Sequence, residues 1–241
     1  GGRRCLGIPA PGAGSVGGSE DERARAGLRL NVYYGGTFDP VHLGHVAVAE
    51  TACRLLGTPV HFIPSADPPH RAPASASAEQ RAEMVELAIA GHQGLACDRR
   101  ELQRSGKSYS LDTLRGLRAE FGNAQPFAWL IGMDAFIGLD AWHEWRALFD
   151  VTHFIIVQRP GQSLSSMSTA LQQACAGRWL DSPEALSGTP AGKLYIMPLA
   201  LRHESSTAIR AGLARREDMS ACLPASVAEY IRFHQLYASG V

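Results

Sequence analysis

The sequence has no surplus of either charge, since 23 Lys and Arg stand against 23 Asp and Glu in 241 residues. A protein that binds a long polyanion or an anionic membrane draws much of its affinity from a basic excess or a basic run. Neither nucleic-acid nor membrane-surface binding is therefore expected. Cysteine is sparse and scattered: the five residues at 5, 53, 97, 175 and 222 include no Cys-x-x-Cys pair. That argues against a zinc site or a redox pair and fits reduced thiols in a cytoplasmic protein. No run approaches the ~20 consecutive apolar residues that cross a bilayer, and the N-terminus lacks the unbroken apolar core of a signal peptide. An initial Met is missing too, so residue 1 is not expected to be a native start.

What is present is unevenly spread. Residues 1–29 hold 8 of the 25 glycines, with five Arg against three acids. Such a Gly/Arg-rich segment is expected to be a disordered extension, with the folded domain spanning 30–241. Leu30-Asn31-Val32-Tyr33-Tyr34 reads as a first strand stopped by Gly35-Gly36. A helix fits from about Gly44 to Leu56, with Val46, Ala49, Cys53 and Leu56 on one face and Gly57 as its stop. Val60 to Ile63 reads as a second strand, and the proline-rich 67–73 stretch as an extended loop.

Ser77 and Gln80 have capping-box spacing ahead of a helix to about Ala90, with Met84, Leu87 and Ala88 facing inward. The alternation continues. Strands are expected near Leu95 to Leu102, Phe127 to Ile131, Thr152 to Val157 and Leu194 to Met197. Helices are expected at Ser110 to Phe121, Trp142 to Phe149, Thr169 to Trp179, Thr207 to Ala214 and Pro224 to Tyr237. This pattern predicts an α/β fold, a doubly wound and mainly parallel sheet with helices on both faces. Residues 198–241 form a small C-terminal helical part in this reading. Ligands of such sheets bind at the carboxyl ends of strands, where strand order reverses.

The densest signal follows the first strand: Gly35-Gly36-Thr37-Phe38-Asp39-Pro40-Val41-His42-Leu43-Gly44-His45. The glycines allow a tight turn and let a ligand approach main-chain N–H groups without a Cβ in the way. His42 and His45, three apart at a helix start, can point their imidazoles to one side. An anion there would meet N–H donors, a positive helix terminus and two imidazoles, which describes a phosphate site. A metal site would need further ligands nearby, and the candidates are not at ligand spacing. Near the C-terminus, Ser205-Ser206-Thr207 can cap a helix while leaving first-turn N–H groups for an anion. Arg210, about one turn later, can make a forked contact with the same phosphate.

The string from Gly35 to His45 resembles the signature of the nucleotidyltransferase superfamily with a His-x-Gly-His motif, in particular the nicotinate-nucleotide adenylyltransferases. The resemblance runs from about Leu30 to Tyr237. Residues 204–210 resemble the family's second motif, Ile-Ser-x-Thr-x-Ile-Arg, except that Glu204 stands where an apolar residue is usual. The departure puts local packing in question more than phosphate contact.

The resemblance implies transfer of AMP from MgATP to nicotinate mononucleotide, giving deamido-NAD and pyrophosphate. It assigns His42, His45 and Arg210 to catalysis. ATP would be bound by Gly35, Gly36, Thr37, Phe38, Gly132, Asp134, Ser205, Ser206, Thr207 and Arg210. Nicotinate mononucleotide would be bound by Tyr109, Ser110, Trp142, His70, Arg71 and Arg159. In the family the tryptophan stacks on the pyridine ring and the Ser108-Tyr109-Ser110 segment offers donors to its carboxylate, an aromatic face suiting a flat ring. Mg²⁺ would arrive with ATP, held by phosphates and water. A homo-oligomer is left open. The alternatives are adenylyl transfer to nicotinamide mononucleotide or phosphopantetheine, and a nucleotide sensor without catalysis.

Overall fold

The computed structural model describes residues 28–67, 74–158, 163–199 and 204–238. The expected extension up to residue 27 lies outside them. One six-stranded sheet runs through the molecule: β1 (Asn31–Gly36), β2 (Val60–Pro64), β3 (Leu95–Cys97), β4 (Phe127–Gly132), β5 (His153–Val157) and β6 (Leu194–Met197). All neighbours pair in parallel, in the order β3-β2-β1-β4-β5-β6. Strand order reverses between β1 and β4, so the crevice beyond Gly36 and Gly132 is where this topology places ligands.

The connecting helices are α1 (Leu43–Leu56), α2 (Ala78–Ile89), α3 (Ser110–Phe121), α4 (Met133–Ile137), α5 (Trp145–Val151), α6 (Thr169–Cys175), α7 (Ser206–Ala214) and α8 (Ala225–Phe233). Because side chains alternate along a strand, the sheet builds two cores. Val32, Tyr34, Phe62, Leu130 and Ile155 pack with Val46 and Ala49 of α1, Met84 and Val85 of α2, Ile209 of α7, and Val227 and Ile231 of α8. Tyr33, Trp129 and Ile156 face the other way, onto Leu111, Leu114 and Leu117 of α3, Phe136 of α4, Leu148 of α5 and Leu171 of α6. Helices therefore cover both faces. The helices after residue 205 share the first core.

Local expectations hold closely for α1, which ends at Gly57 in the left-handed conformation, and for α2, whose Ser77–Gln80 capping box forms in both directions. Others need correction. The third strand stops at Cys97, five residues before Leu102. Asp98 turns the chain there by accepting Arg100 N–H at 2.9 Å. Leu87 is 37% exposed, not inward-facing. Trp142 does not open a helix: it ends a 3-10 turn, Leu139–Ala141, and α5 begins at Trp145. The sixth helix ends at Cys175, before Gly177 turns the chain with positive φ. The last helix ends at Phe233, because Gln235 and Tyr237 take positive φ and bend the chain back.

Candidate functional site

The carboxyl end of β1 passes through residues 37–42 into α1. In that short path His42 is buried, and its ring stacks on His45 with centroids 3.6 Å apart and planes 25° apart. Spacing alone suggested that both rings share a side, and the stack realises it. The His42 backbone N–H donates to His45 Nδ1 at 3.3 Å. An Nδ1 that accepts leaves the ring proton on Nε2 in the neutral tautomer. His45 is partly exposed, at the start of α1.

The two glycines also answer a packing demand. A Cβ on Gly35 would lie 1.9 Å from the Trp129 indole, and one on Gly36 would lie 2.8 Å from the Phe38 ring. Their lack of a side chain is demanded by packing against β4 and within the loop. Phe38 itself holds φ of 49°, an unfavourable region for a bulky residue. It is fixed there by ring contacts to Tyr34, Phe62 and His45 at 5.5, 5.4 and 5.1 Å.

Two buried charges that motif reading passed over hold this loop. Arg81 of α2, 1% exposed, donates to Thr37 O at 2.6 Å, to Ala66 O at 3.1 Å and to Ala76 O at 3.3 Å. Burial lowers its pKa, and Asp39 is the main opposing influence. Asp39 accepts Ser75 N–H at 2.8 Å, Ala76 N–H at 3.2 Å and the Tyr237 hydroxyl at 2.7 Å. Burial, then the Asp39 bond, push the Tyr237 phenol far above its usual range. No local sequence signal marks these partners; only the fold brings them together.

The second motif meets the first. Ser205 caps α7, accepting Ala208 N–H at 3.4 Å. Ser206 Oγ donates to Pro40 O at 3.0 Å, and Arg210 Nη1 donates to Asp39 O at 2.6 Å, with the Asp39 carboxylate 3.9 Å away. Thr207 Oγ1 accepts from Arg210 Nη2 at 3.5 Å. The start of α7 is thereby joined to the loop that leads into α1.

Gly132 ends β4 across the switch point. A Cβ there would come 2.8 Å from Asp134 Oδ1, so the exposed Asp134 carboxylate folds back over the strand end. Farther along, Tyr109 is the N-cap of α3, followed by Ser110, and its ring lies 4.4 Å from that of His143, next to the half-buried Trp142. The Tyr109 and Trp142 segments are thus brought together through His143. His70, Arg71 and Arg159 lie outside the described residues. Imidazole, guanidinium and N–H donors suit a polyanion. No cluster of three or more His, Cys, Asp or Glu able to hold a metal ion occurs among the described residues, and no helix among them is long and apolar enough to cross a membrane.

A sequence profile of the cytidylyltransferase-like family matches residues 33–212. A "Probable nicotinate-nucleotide adenylyltransferase" of Stenotrophomonas maltophilia (strain K279a) is 47% identical over 218 residues, 88% of this chain and 98% of that protein. One of the same description from Xylella fastidiosa (strain 9a5c) is 40% identical over 213 residues, 86% and 96% of the two chains. In fold, the chain resembles Plasmodium falciparum nicotinic acid mononucleotide adenylyltransferase solved with NaAD, at 17% identity and a TM-score of 0.67, covering 87% and 97% of the two chains.

Proposed function

The chain belongs to the cytidylyltransferase-like family and, within it, to the nicotinate-nucleotide adenylyltransferases, and from that premise we propose that it transfers AMP from ATP to nicotinate mononucleotide. An oxygen of the mononucleotide 5′-phosphate attacks the α-phosphorus. A new P–O bond forms there as the bond to the β-phosphate oxygen breaks, yielding deamido-NAD and pyrophosphate. The nucleophile is already an anion, so neither a protein base nor a covalent intermediate is needed. Catalysis then consists of alignment and of stabilising charge as it develops.

The observation that carries this reading is the joining of α7 to the loop before α1 through Ser206 to Pro40 and Arg210 to Asp39. It brings the start of α7 and Arg210 against the loop that leads from β1 into α1, beside the sheet's switch point. In this reading His42 and His45 serve the α-phosphate, while Arg210 with Ser205, Ser206 and Thr207 holds the leaving pyrophosphate. Gly35, Gly36, Thr37 and Phe38 shape the ATP cradle, and Gly132 with Asp134 borders the adenosine. Trp142 offers a face to the pyridine ring, with Tyr109 and Ser110 beside its carboxylate. His70, Arg71 and Arg159 are assigned to the mononucleotide by family likeness alone. A divalent metal, Mg²⁺ in this proposal, enters as part of the ATP substrate, bound by phosphate oxygens and water.

The test is pyrophosphate release with ATP and, separately, nicotinate mononucleotide, nicotinamide mononucleotide and phosphopantetheine. Turnover with the nicotinate acceptor at a clearly higher kcat/KM than the others is expected. Equal kcat/KM for the two pyridine acceptors would overturn the specificity, and no release with any acceptor would overturn the activity.

A further inference from the structure

Glu101 is a carboxylic acid that the proposed chemistry does not use, yet it is only 4% exposed. Burying a carboxyl is costly unless it organises its surroundings. The polar groups about it come from three stretches of chain. Thr113, in the first turn of α3 and 1% exposed, donates its hydroxyl to Glu101 Oε1 at 2.6 Å. Arg104 Nη2 reaches Thr113 Oγ1 at 3.3 Å and places a positive charge near the carboxyl. Burial raises the Glu101 pKa, opposed first by the Thr113 and Ser108 hydroxyls and then by Arg104 and the Ala66 main chain.

Ser108 is the link to the acceptor segment. Its Oγ accepts Ala66 N–H at 2.9 Å and Asp67 N–H at 3.1 Å, and its own N–H donates to Asp67 O at 2.9 Å. A hydroxyl oxygen that accepts two N–H bonds still has its own hydrogen to donate, and Glu101 is the carboxyl beside it. Thr113 is tied to the same segment from the other side, because its N–H donates to Tyr109 O at 3.2 Å. Glu101 therefore holds the Thr113 end of residues 108–113 by a hydrogen bond and lies near the Ser108 end, its second carboxyl oxygen buried without a hydrogen-bond partner.

We propose that Glu101 is a positioning residue for the acceptor, fixing the Ser108-Tyr109-Ser110 segment between the end of β2 and the first turn of α3. This rests on the assignment of that segment to nicotinate mononucleotide. ATP is assigned to the loop before α1 and to the start of α7; among the described residues Glu101 makes no hydrogen bond to either, and its influence on the loop is limited to its charge acting on Arg81. Removing Glu101 should thus separate the two substrates in a way that general loss of stability would not.

The experiment is steady-state kinetics of Glu101→Ala and Glu101→Gln, titrating each substrate at saturation of the other. Glu101→Ala is expected to raise the KM for nicotinate mononucleotide about tenfold or more, the scale of a lost charged hydrogen bond, and to leave that for ATP within about twofold. Glu101→Gln keeps an oxygen for Thr113 and should recover most of the loss. Should Glu101→Ala fail to fold, Thr113→Val removes the donor at nearly constant shape and should raise the same KM selectively. Parallel rises in both KM values, or an unmoved acceptor KM, would overturn the role of Glu101 while leaving the activity standing. A wild-type enzyme without turnover would overturn the acceptor assignment and this proposal with it.

Discussion

His42 and His45 share a stack but not an exposure, and the difference separates their contributions. His45 has its Nδ1 occupied by the His42 N–H and is only partly buried. Replacing it with Ala removes a donor to charge that develops in the transition state, together with its ring contacts to His42 and Phe38. The expected result for His45→Ala is a kcat lowered ~10²-fold or more, with a smaller fall in melting temperature than for the buried His42. A kcat near that of the wild type would remove His45 from the reaction. His42 is 1% exposed, so His42→Ala should lower thermal stability along with rate. Asp39 behaves as neither ligand nor donor. Its carboxylate holds Ser75, Ala76 and Tyr237 while its carbonyl holds Arg210, so its influence on the reaction passes through the residues it positions.

Among the elements, the C-terminal helix shows how a contact far along the chain can decide where an element ends. Helical periodicity alone runs α8 on to Tyr237, yet the helix closes at Phe233 and the next residues carry the Tyr237 hydroxyl to Asp39. Tyr237→Phe deletes that one donor while the Ser75 and Ala76 N–H groups remain on the carboxylate. A stability loss of about 1 kcal/mol is expected by urea unfolding, with a smaller fall in kcat than for His45→Ala. An unchanged unfolding midpoint would show that the latch contributes nothing.

The same contrast explains what was legible in the sequence. Capping by Ser77 and Ser205, the Gly57 stop and the strand positions depend on neighbours within a few residues, so they could be read directly. The two motifs assigned to phosphate were legible because each is compact. Arg81, Asp39 and Tyr237 were not, since their bonds span separations from 5 to 198 residues and only the folded sheet brings those partners together. Gly35 was identified, but its packing against Trp129 was not legible, because Trp129 lies on another strand.

For the molecule as a whole, a balanced net charge leaves acid sensitivity to individual buried groups, and His153 is the foremost among them. It is fully buried at the start of β5, with Nδ1 accepting the Lys193 N–H at 2.9 Å and Nε2 placed 2.8 Å from Thr189 O. One nitrogen accepts and the other donates, which requires the neutral ring. Burial pushes its pKa down to about 4 against an ordinary 6.5, partly opposed by the Thr189 bond. The seam is shared: Arg118 donates to Val151 O and Pro190 O, each at 2.8 Å, beside the same 189–193 connection. When the protein unfolds, the imidazole regains its ordinary affinity, so the unfolded chain binds the extra proton between the two values. The stability His153 provides is therefore complete above about pH 6.5 and is lost as the pH falls towards about 4. From about pH 7.5 to about pH 5 that loss amounts to roughly 2 kcal/mol. Urea unfolding at those two pH values should show it in the wild type and show a flatter response in His153→Gln, which can keep one donor and one acceptor without titrating. An equally steep response in the variant would move the acid sensitivity away from this seam.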